Sequence, residues 1–217
     1  SEVNMNEFTI HINDRRMLAA AALSAGFEQE EIGGALISLD KFDKIGLDGI
    51  EKDLLESGYA PEKVEKYMAF YRNVQPGMEI ADFCAGVSGE YLPENVGAAL
   101  ADIVGSVKPM LADGVKIVFD PTLVRGMGYY TGTIFEVAME GFGGSVAGGG
   151  RYDKMVGRFT GMDTPACGFS IGFERIVGIL MDAGFVVPEK NAREAWMYEK
   201  GMGMERLSEI LKEAMAA

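Results

Sequence analysis

The chain has 217 residues, 48% of them hydrophobic, enough for one large domain or for one domain with an appendage, and no stretch approaches the ~20 apolar residues of a transmembrane helix. A net charge of -13 argues against nucleic-acid binding through a broad basic surface. The single histidine, His11, argues against a zinc site or a histidine-based triad, and Cys84 and Cys167 read as free thiols of a reducing compartment.

In chain order, residues 8–12 alternate as a strand, and a helix follows over 14–25, ended by Gly26. Helices are predicted over 28–39, 47–57 and 61–73. The last has Pro61 in its first turn and Val64, Tyr67, Met68 and Tyr71 at helical spacing. A longer helix begins near Pro93 with Val96, Leu100, Ile103, Val104 and Val107 on one stripe. Pro109 shortens it, and Gly114 ends it. The texture then changes to strands at 115–119, 129–139, 145–147 and 166–171, with helices at 153–159 and 173–183. Short connections between successive strands predict an α+β fold with a mostly antiparallel sheet and flanking helices. After Pro188 a strand near 195–198 and a helix carrying Met204, Leu207, Leu211 and Ala214 begin a new unit. One strand and one helix cannot bury their apolar faces alone. Both ends are therefore expected to be cuts through larger units. The start shows no secretory pattern, so a cytoplasmic protein is expected.

Two glycine-rich stretches concentrate arginine and tyrosine. Between Val115 and Arg175 six basic residues balance six acidic ones, so the acidic excess lies elsewhere. A locally neutral, arginine-bearing pocket suits a small anionic ligand. Arg125, between a strand end and Gly126, can aim a bidentate fork at a carboxylate or phosphate, or make a surface ion pair. Tyr129 and Tyr130, read as strand residues, are expected on opposite faces, one toward the core and one toward a pocket. Gly132 allows close approach of a ligand or backbone. Gly148, Gly149 and Gly150 either cradle a phosphate or serve a bend, and they lack the lysine and hydroxyl residue of a P-loop. Asp153 is read as a helix N-cap rather than a catalytic base. Arg175, in the first turn of a helix entered through Gly172, lies opposite the stripe Phe173, Ile176, Val177 and Leu180. It is either a solvated arginine or one that stacks on a planar ring or meets a phosphate.

The run from Leu123 through Arg125-Gly126-Met127-Gly128-Tyr129-Tyr130-Thr131-Gly132 to Glu136 resembles the histidine-specific motif of histidyl-tRNA synthetases. Gly149-Gly150-Arg151-Tyr152-Asp153 resembles their second such segment, and 166–175 resembles motif 3 of class II aminoacyl-tRNA synthetases. The resemblance implies a partial class II catalytic core with a helical insertion. Its domains would be 1–26 (core strand and helix), 27–113 (insertion approaching the tRNA acceptor stem), 114–190 (second half of the core) and 191–217 (start of an anticodon-binding domain). It implies ATP-dependent activation of histidine and transfer to tRNA-His. Arg125 would be the catalytic arginine, holding the substrate carboxylate and the α-phosphate. Tyr130 and Tyr152 would contact histidine, and Arg175 with Gly172 would bind ATP. ATP would come with Mg2+ as a substrate; no metal site and no bound organic cofactor are expected. The parent enzyme would be a homodimer with no membrane partner. The family usually has Asp where this chain has Gly128, and nothing before Phe8 resembles motif 1 or motif 2, so the chain alone is expected to be an inactive fragment. The competing expectation is a non-catalytic paralogue resembling the regulatory subunit of ATP phosphoribosyltransferase. Intact Arg125, Tyr130, Tyr152 and Arg175 favour the synthetase.

Overall fold

The computed structural model describes residues 7–126 and 128–185, with Arg206 and Glu209. The strand expected near 195–198 lies outside them, as does most of the helix after it. The chain divides into two compact units, Ser1–Ile179 and Leu180–Ala217.

The first unit opens with β1 (Phe8–Asp14), which runs directly into α1 (Arg15–Ser24). Asp14 makes that switch: its carboxylate accepts the Arg16 backbone N–H at 2.9 Å, capping the helix, and also holds the Arg16 guanidinium. Gly26 ends the helix at φ 97°, a conformation that costs glycine nothing. Met17, Leu18, Ala20, Ala21 and Ala22 are buried, so α1 is a small-residue helix against which later helices pack closely.

Five helices follow: α2 (Ile32–Leu39), α3 (Phe42–Glu56), α4 (Pro61–Tyr71), α5 (Ile80–Gly86) and α6 (Val96–Val107). The helix expected from 28 starts four residues later. Residues 28–31 instead form a turn in which the Glu28 N–H reaches the Glu31 carboxylate at 2.7 Å. Gly46, at φ 64° and ψ 179°, breaks α3, so the helix expected from 47 is its second half. All four stripe residues of α4 are buried. Of the α6 stripe, Val96 and Leu100 are buried, but Ile103 is 39% exposed, so that face is only half covered. The α5 helix was not predicted; it is seven residues long and buries only Phe83.

The chain then returns to the sheet with β2 (Val115–Phe119), β3 (Thr133–Met139), β4 (Ser145–Arg151), α7 (Asp153–Thr160), β5 (Cys167–Ile171) and α8 (Phe173–Asp182). Strand order is β2-β1-β3-β4-β5. The β1–β2 pair is parallel and the other three are antiparallel. The parallel pair follows from the helical crossover α1–α6, since parallel neighbours need a long connection. Two sequence expectations are corrected. Tyr129 and Tyr130 lie in a turn before β3, not within it, and Gly148, Gly149 and Gly150 are the interior of β4, not a loop.

The register aligns one row across the sheet: Val118, His11, Glu136, Gly148 and Ser170. The next row on the same face is Asn13, Ile134, Gly150 and Gly168. These two rows are the floor of the site.

Candidate functional site

After β2 the chain makes a tight turn around Asp120. Its Oδ1 accepts the Thr122 backbone N–H at 2.9 Å and the Thr122 hydroxyl at 2.7 Å. Asn13, fully buried, donates from Nδ2 to the Leu123 carbonyl at 3.2 Å. These bonds pin residues 120–124 to β1 and deliver Arg125 over the sheet. Its Nη1 donates to Glu136 Oε2 at 2.6 Å. The guanidinium lies on Gly148, where a Cβ would come within 2.8 Å of Nη1 and 2.9 Å of Cζ.

Two tyrosines rest on the adjacent row in the same way. The Tyr130 ring covers Gly150, where a Cβ would stand 2.8 Å from the ring. The Tyr152 hydroxyl lies over Gly168, 2.5 Å from where a Cβ would be. Arg125, Tyr130 and Tyr152 thus each occupy space that a glycine leaves open. Tyr130 is buried and Tyr129 is 36% exposed, with ring centroids 4.6 Å apart. Tyr130 faces inward while Tyr129 is partly exposed; a turn sets this rather than the strand alternation expected, and both rings border the same cavity. Burial, reinforced by Tyr129, pushes the Tyr130 hydroxyl up to about 12, while Arg125 opposes the shift, so it remains a neutral donor at physiological pH.

These side chains line a cavity of about 220 Å³ with Met155, Phe169 and Ser170. That volume lies below the usual range for drug-sized ligands, about 300–1,000 Å³, and suits a ligand of amino-acid size. A larger cavity of about 460 Å³ lies beyond the Arg125–Glu136 pair and is lined by His11, Asp40, Asp43, Asp120 and Glu136. Its carboxylates disfavour an anionic ligand, so chemistry rather than size points to the smaller one.

Arg175 and Gly172 are not part of this group. Arg175 is exposed, and its Nη1 donates to the Ser145 carbonyl and lies 3.4 Å from the Ser145 hydroxyl, beside the β3–β4 hairpin. Gly172 donates its N–H to the Val146 carbonyl at 2.8 Å. A Cβ there would approach the Arg175 side chain and that carbonyl at 3.3 Å each. Phe173, on the apolar stripe of α8, is 76% exposed. Asp153 is not an N-cap, because Tyr152 occupies that position. Its carboxylate binds the Ala166 backbone N–H and Arg151 Nε at 2.8 Å each, holding β5 to the start of α7. Gly132 makes room for a side chain, that of Arg151, with Cδ 3.3 Å from a Cβ there. At Gly128 a Cβ would meet nothing within 4 Å.

Sequence reasoning gave no role to Glu136, His11 or Asp120. His11 Nδ1 and Asp120 Oδ2 are 2.8 Å apart across 109 residues of sequence. The hydrogen bond to Asp120 raises the His11 pKa against the opposing effect of burial, with added attraction from Asp120, Glu136 and Asp43. For Asp120, burial acts upward, but the bonds from His11 and Thr122 outweigh it and hold the carboxyl below its usual range. The His11 contribution to stability is complete below its unfolded value near 6.5 and is lost as pH rises through the raised folded value. The Asp120 contribution is present above 3.8 and lost as pH falls through its lowered value. Denaturant unfolding is expected to show greater stability at pH 6 than at pH 8.5, with the difference shrinking in His11→Gln. An equal pH difference in that variant would rule out His11 as its source.

Residues 1–176 match the family model described as Histidyl-tRNA synthetase, and the chain belongs to that family. A relative named histidine--tRNA ligase, from Leifsonia xyli subsp. xyli, is 40% identical over 228 residues, covering 99% of this chain and 50% of its own length. The crystal structure of histidyl-tRNA synthetase from Nostoc sp. PCC 7120 superposes with a TM-score of 0.72 at 26% identity, over 97% of this chain and 51% of that one. An ATP phosphoribosyltransferase regulatory subunit/histidyl-tRNA synthetase from Bacillus halodurans C shares the fold, with a TM-score of 0.66 at 20% identity over 81% of this chain and 45% of that one. The chain spans about half the length of the curated relatives it matches. Among the described residues no helix is long and apolar enough to cross a membrane.

Proposed function

We propose that this chain carries the histidine-facing part of the active site of a cytoplasmic class II histidine–tRNA ligase. The supporting observation is the convergence of Arg125, Tyr130 and Tyr152 on Gly148, Gly150 and Gly168 around an amino-acid-sized cavity. In this reading the histidine carboxylate docks on Arg125 and attacks the α-phosphorus of Mg2+-bound ATP. Pyrophosphate leaves, and the histidyl group then passes to tRNA-His. Arg125 acts by positioning the carboxylate and stabilising charge that develops on the phosphate. The buried Tyr130 hydroxyl and Tyr152 orient the amino acid. Arg175, with no carboxylate partner on its guanidinium among the described residues, is assigned to ATP with Gly172 beside it.

The domain reading accompanies this proposal: core residues 1–26 and 114–190, a helical insertion over 27–113, and the start of an anticodon-binding domain over 191–217. The insertion holds 17 acidic and 7 basic residues. Affinity for tRNA must therefore come mainly from elsewhere in a homodimeric parent enzyme.

Calorimetric titration of histidine into the 217-residue chain tests the site. Binding weakened by both Arg125→Ala and Tyr152→Phe is expected, and binding indifferent to both would refute the assignment. Histidine-dependent pyrophosphate exchange by this chain alone is expected to be absent. Robust exchange would show that no further residues are needed.

A further inference from the structure

Arg125 reaches its position through two constraints from one row of the sheet. Glu136 on β3 holds Nη1 at 2.6 Å, and Gly148, its direct partner on β4, leaves the space that the guanidinium fills. One N–H of the fork is therefore committed to a carboxylate, the Tyr130 hydroxyl lies within reach of the guanidinium, and a five-donor fork still has capacity for a ligand. A second acid lies close by: Asp40 Oδ2 would be 3.2 Å from a Cβ at Gly126. Burial raises the Asp40 pKa, and Glu136 adds to the rise while Arg125 opposes it, so these three charges act on one another. The arginine is thus not a bare cation. It is oriented and partly neutralised, with acids on the side away from the small cavity.

Resting on the histidine-site reading above, we propose that Glu136 is a positioning residue that fixes the ligand preference of Arg125. It holds the guanidinium flat over Gly148 and offsets part of its charge, so that the site takes a single-charged carboxylate in preference to free phosphate. A freely rotating, unpaired arginine would grip a dianion at least as well as a carboxylate. The paired one offers oriented donors with a reduced field. A monoanion then loses little, whereas a dianion meets repulsion from Glu136 and Asp40.

The test uses Glu136→Gln, which keeps shape and removes charge, alongside Gly148→Ala, which pushes the guanidinium from the opposite side. Histidine affinity is measured by calorimetry with and without inorganic phosphate, and the Nη resonances of Arg125 are followed by NMR. In the parent chain, slow guanidinium rotation and histidine binding insensitive to phosphate are expected. In Glu136→Gln, rotation is expected to become fast, histidine binding to weaken about tenfold, the loss of one oriented charged hydrogen bond, and phosphate to compete. Gly148→Ala should also free the rotation while leaving Glu136 in place. Unchanged rotation and unchanged phosphate insensitivity in Glu136→Gln would overturn the proposal. The NMR signal needs no ligand. If histidine does not bind the parent chain, the functional reading fails, while the rotation measurement still decides whether Glu136 positions Arg125.

Discussion

Gly149→Ala is expected to lower the melting temperature more than alanine at either neighbouring glycine. Its Cβ would run into the Gly168 carbonyl oxygen and come within 2.7 Å of both Cα and Cβ of Phe169. Two of these three atoms are backbone of β5, which pairs with β4 at this register. Relief requires separating two hydrogen-bonded strands, so the cost belongs at or above the upper end of overpacking penalties, about 3 kcal/mol. For a chain of this size that corresponds to about 6–12 °C. Gly150→Ala meets the Thr133 carbonyl oxygen at 2.7 Å and the Tyr130 ring, an intermediate case. Gly148→Ala meets only the flexible end of Arg125, so it should melt close to the parent while losing ligand affinity. Differential scanning calorimetry of the three variants gives the order directly. A Gly149→Ala protein melting within about 2 °C of the parent would mean that the strands are not packed as described.

Arg125→Ala is expected to have the largest effect on binding and a small one on folding. Removing the guanidinium takes away the cationic donor of the small cavity, and each charge-assisted hydrogen bond lost, about 1.5–3 kcal/mol, costs more than tenfold in affinity. Glu136 loses its partner, but with its side chain 30% exposed it remains hydrated and does not become a buried orphan charge. Thermal stability should therefore change little while histidine affinity falls beyond detection. Arg125→Lys should not rescue it, because a point ammonium cannot hold Glu136 and a ligand carboxylate with one planar fork. Full rescue by lysine would show that charge alone, not geometry, is required. Calorimetry beside circular-dichroism melts separates the two effects.

The elements that were plain in the sequence are those whose signals are local. Asp14 marks the start of α1 because it is a capping residue placed before an alanine-rich run, and Gly26 marks its end. Val64, Tyr67, Met68 and Tyr71 give α4 away by spacing alone. The Arg125, Tyr130 and Tyr152 motifs were recognisable as a set, but their geometry was not. Three consecutive glycines have low strand propensity, and only pairing with β3 and β5 makes them a strand. The aromatic pair Tyr129-Tyr130 carries high strand propensity yet forms a turn, because the Tyr130 ring must fold back onto Gly150. Glu136 was invisible as the partner of Arg125 because the irregular segment between β2 and β3 that folds the arginine back over the sheet has no periodic signal, and His11 as the partner of Asp120 because the parallel β1–β2 pairing joins residues 109 apart in sequence. The α5 helix offers one buried side chain in seven residues, too short a pattern to show a period.

The placement of β1 has a consequence for the order in which the molecule can be made. This strand lies inside the sheet, yet its parallel partner begins at Val115 and its antiparallel partner ends at Met139. At about 5–20 residues per second of synthesis, the first strand leaves the ribosome roughly 6–25 s before its second edge can be covered. During that interval the edges of the segment Phe8–Asp14 are incompletely paired while α1–α6 begin to assemble the core that they share with the sheet. Sheet closure is then a late, non-local event. The helices are expected to gain protection from hydrogen exchange before the strands during refolding, even though β1 precedes them in the sequence.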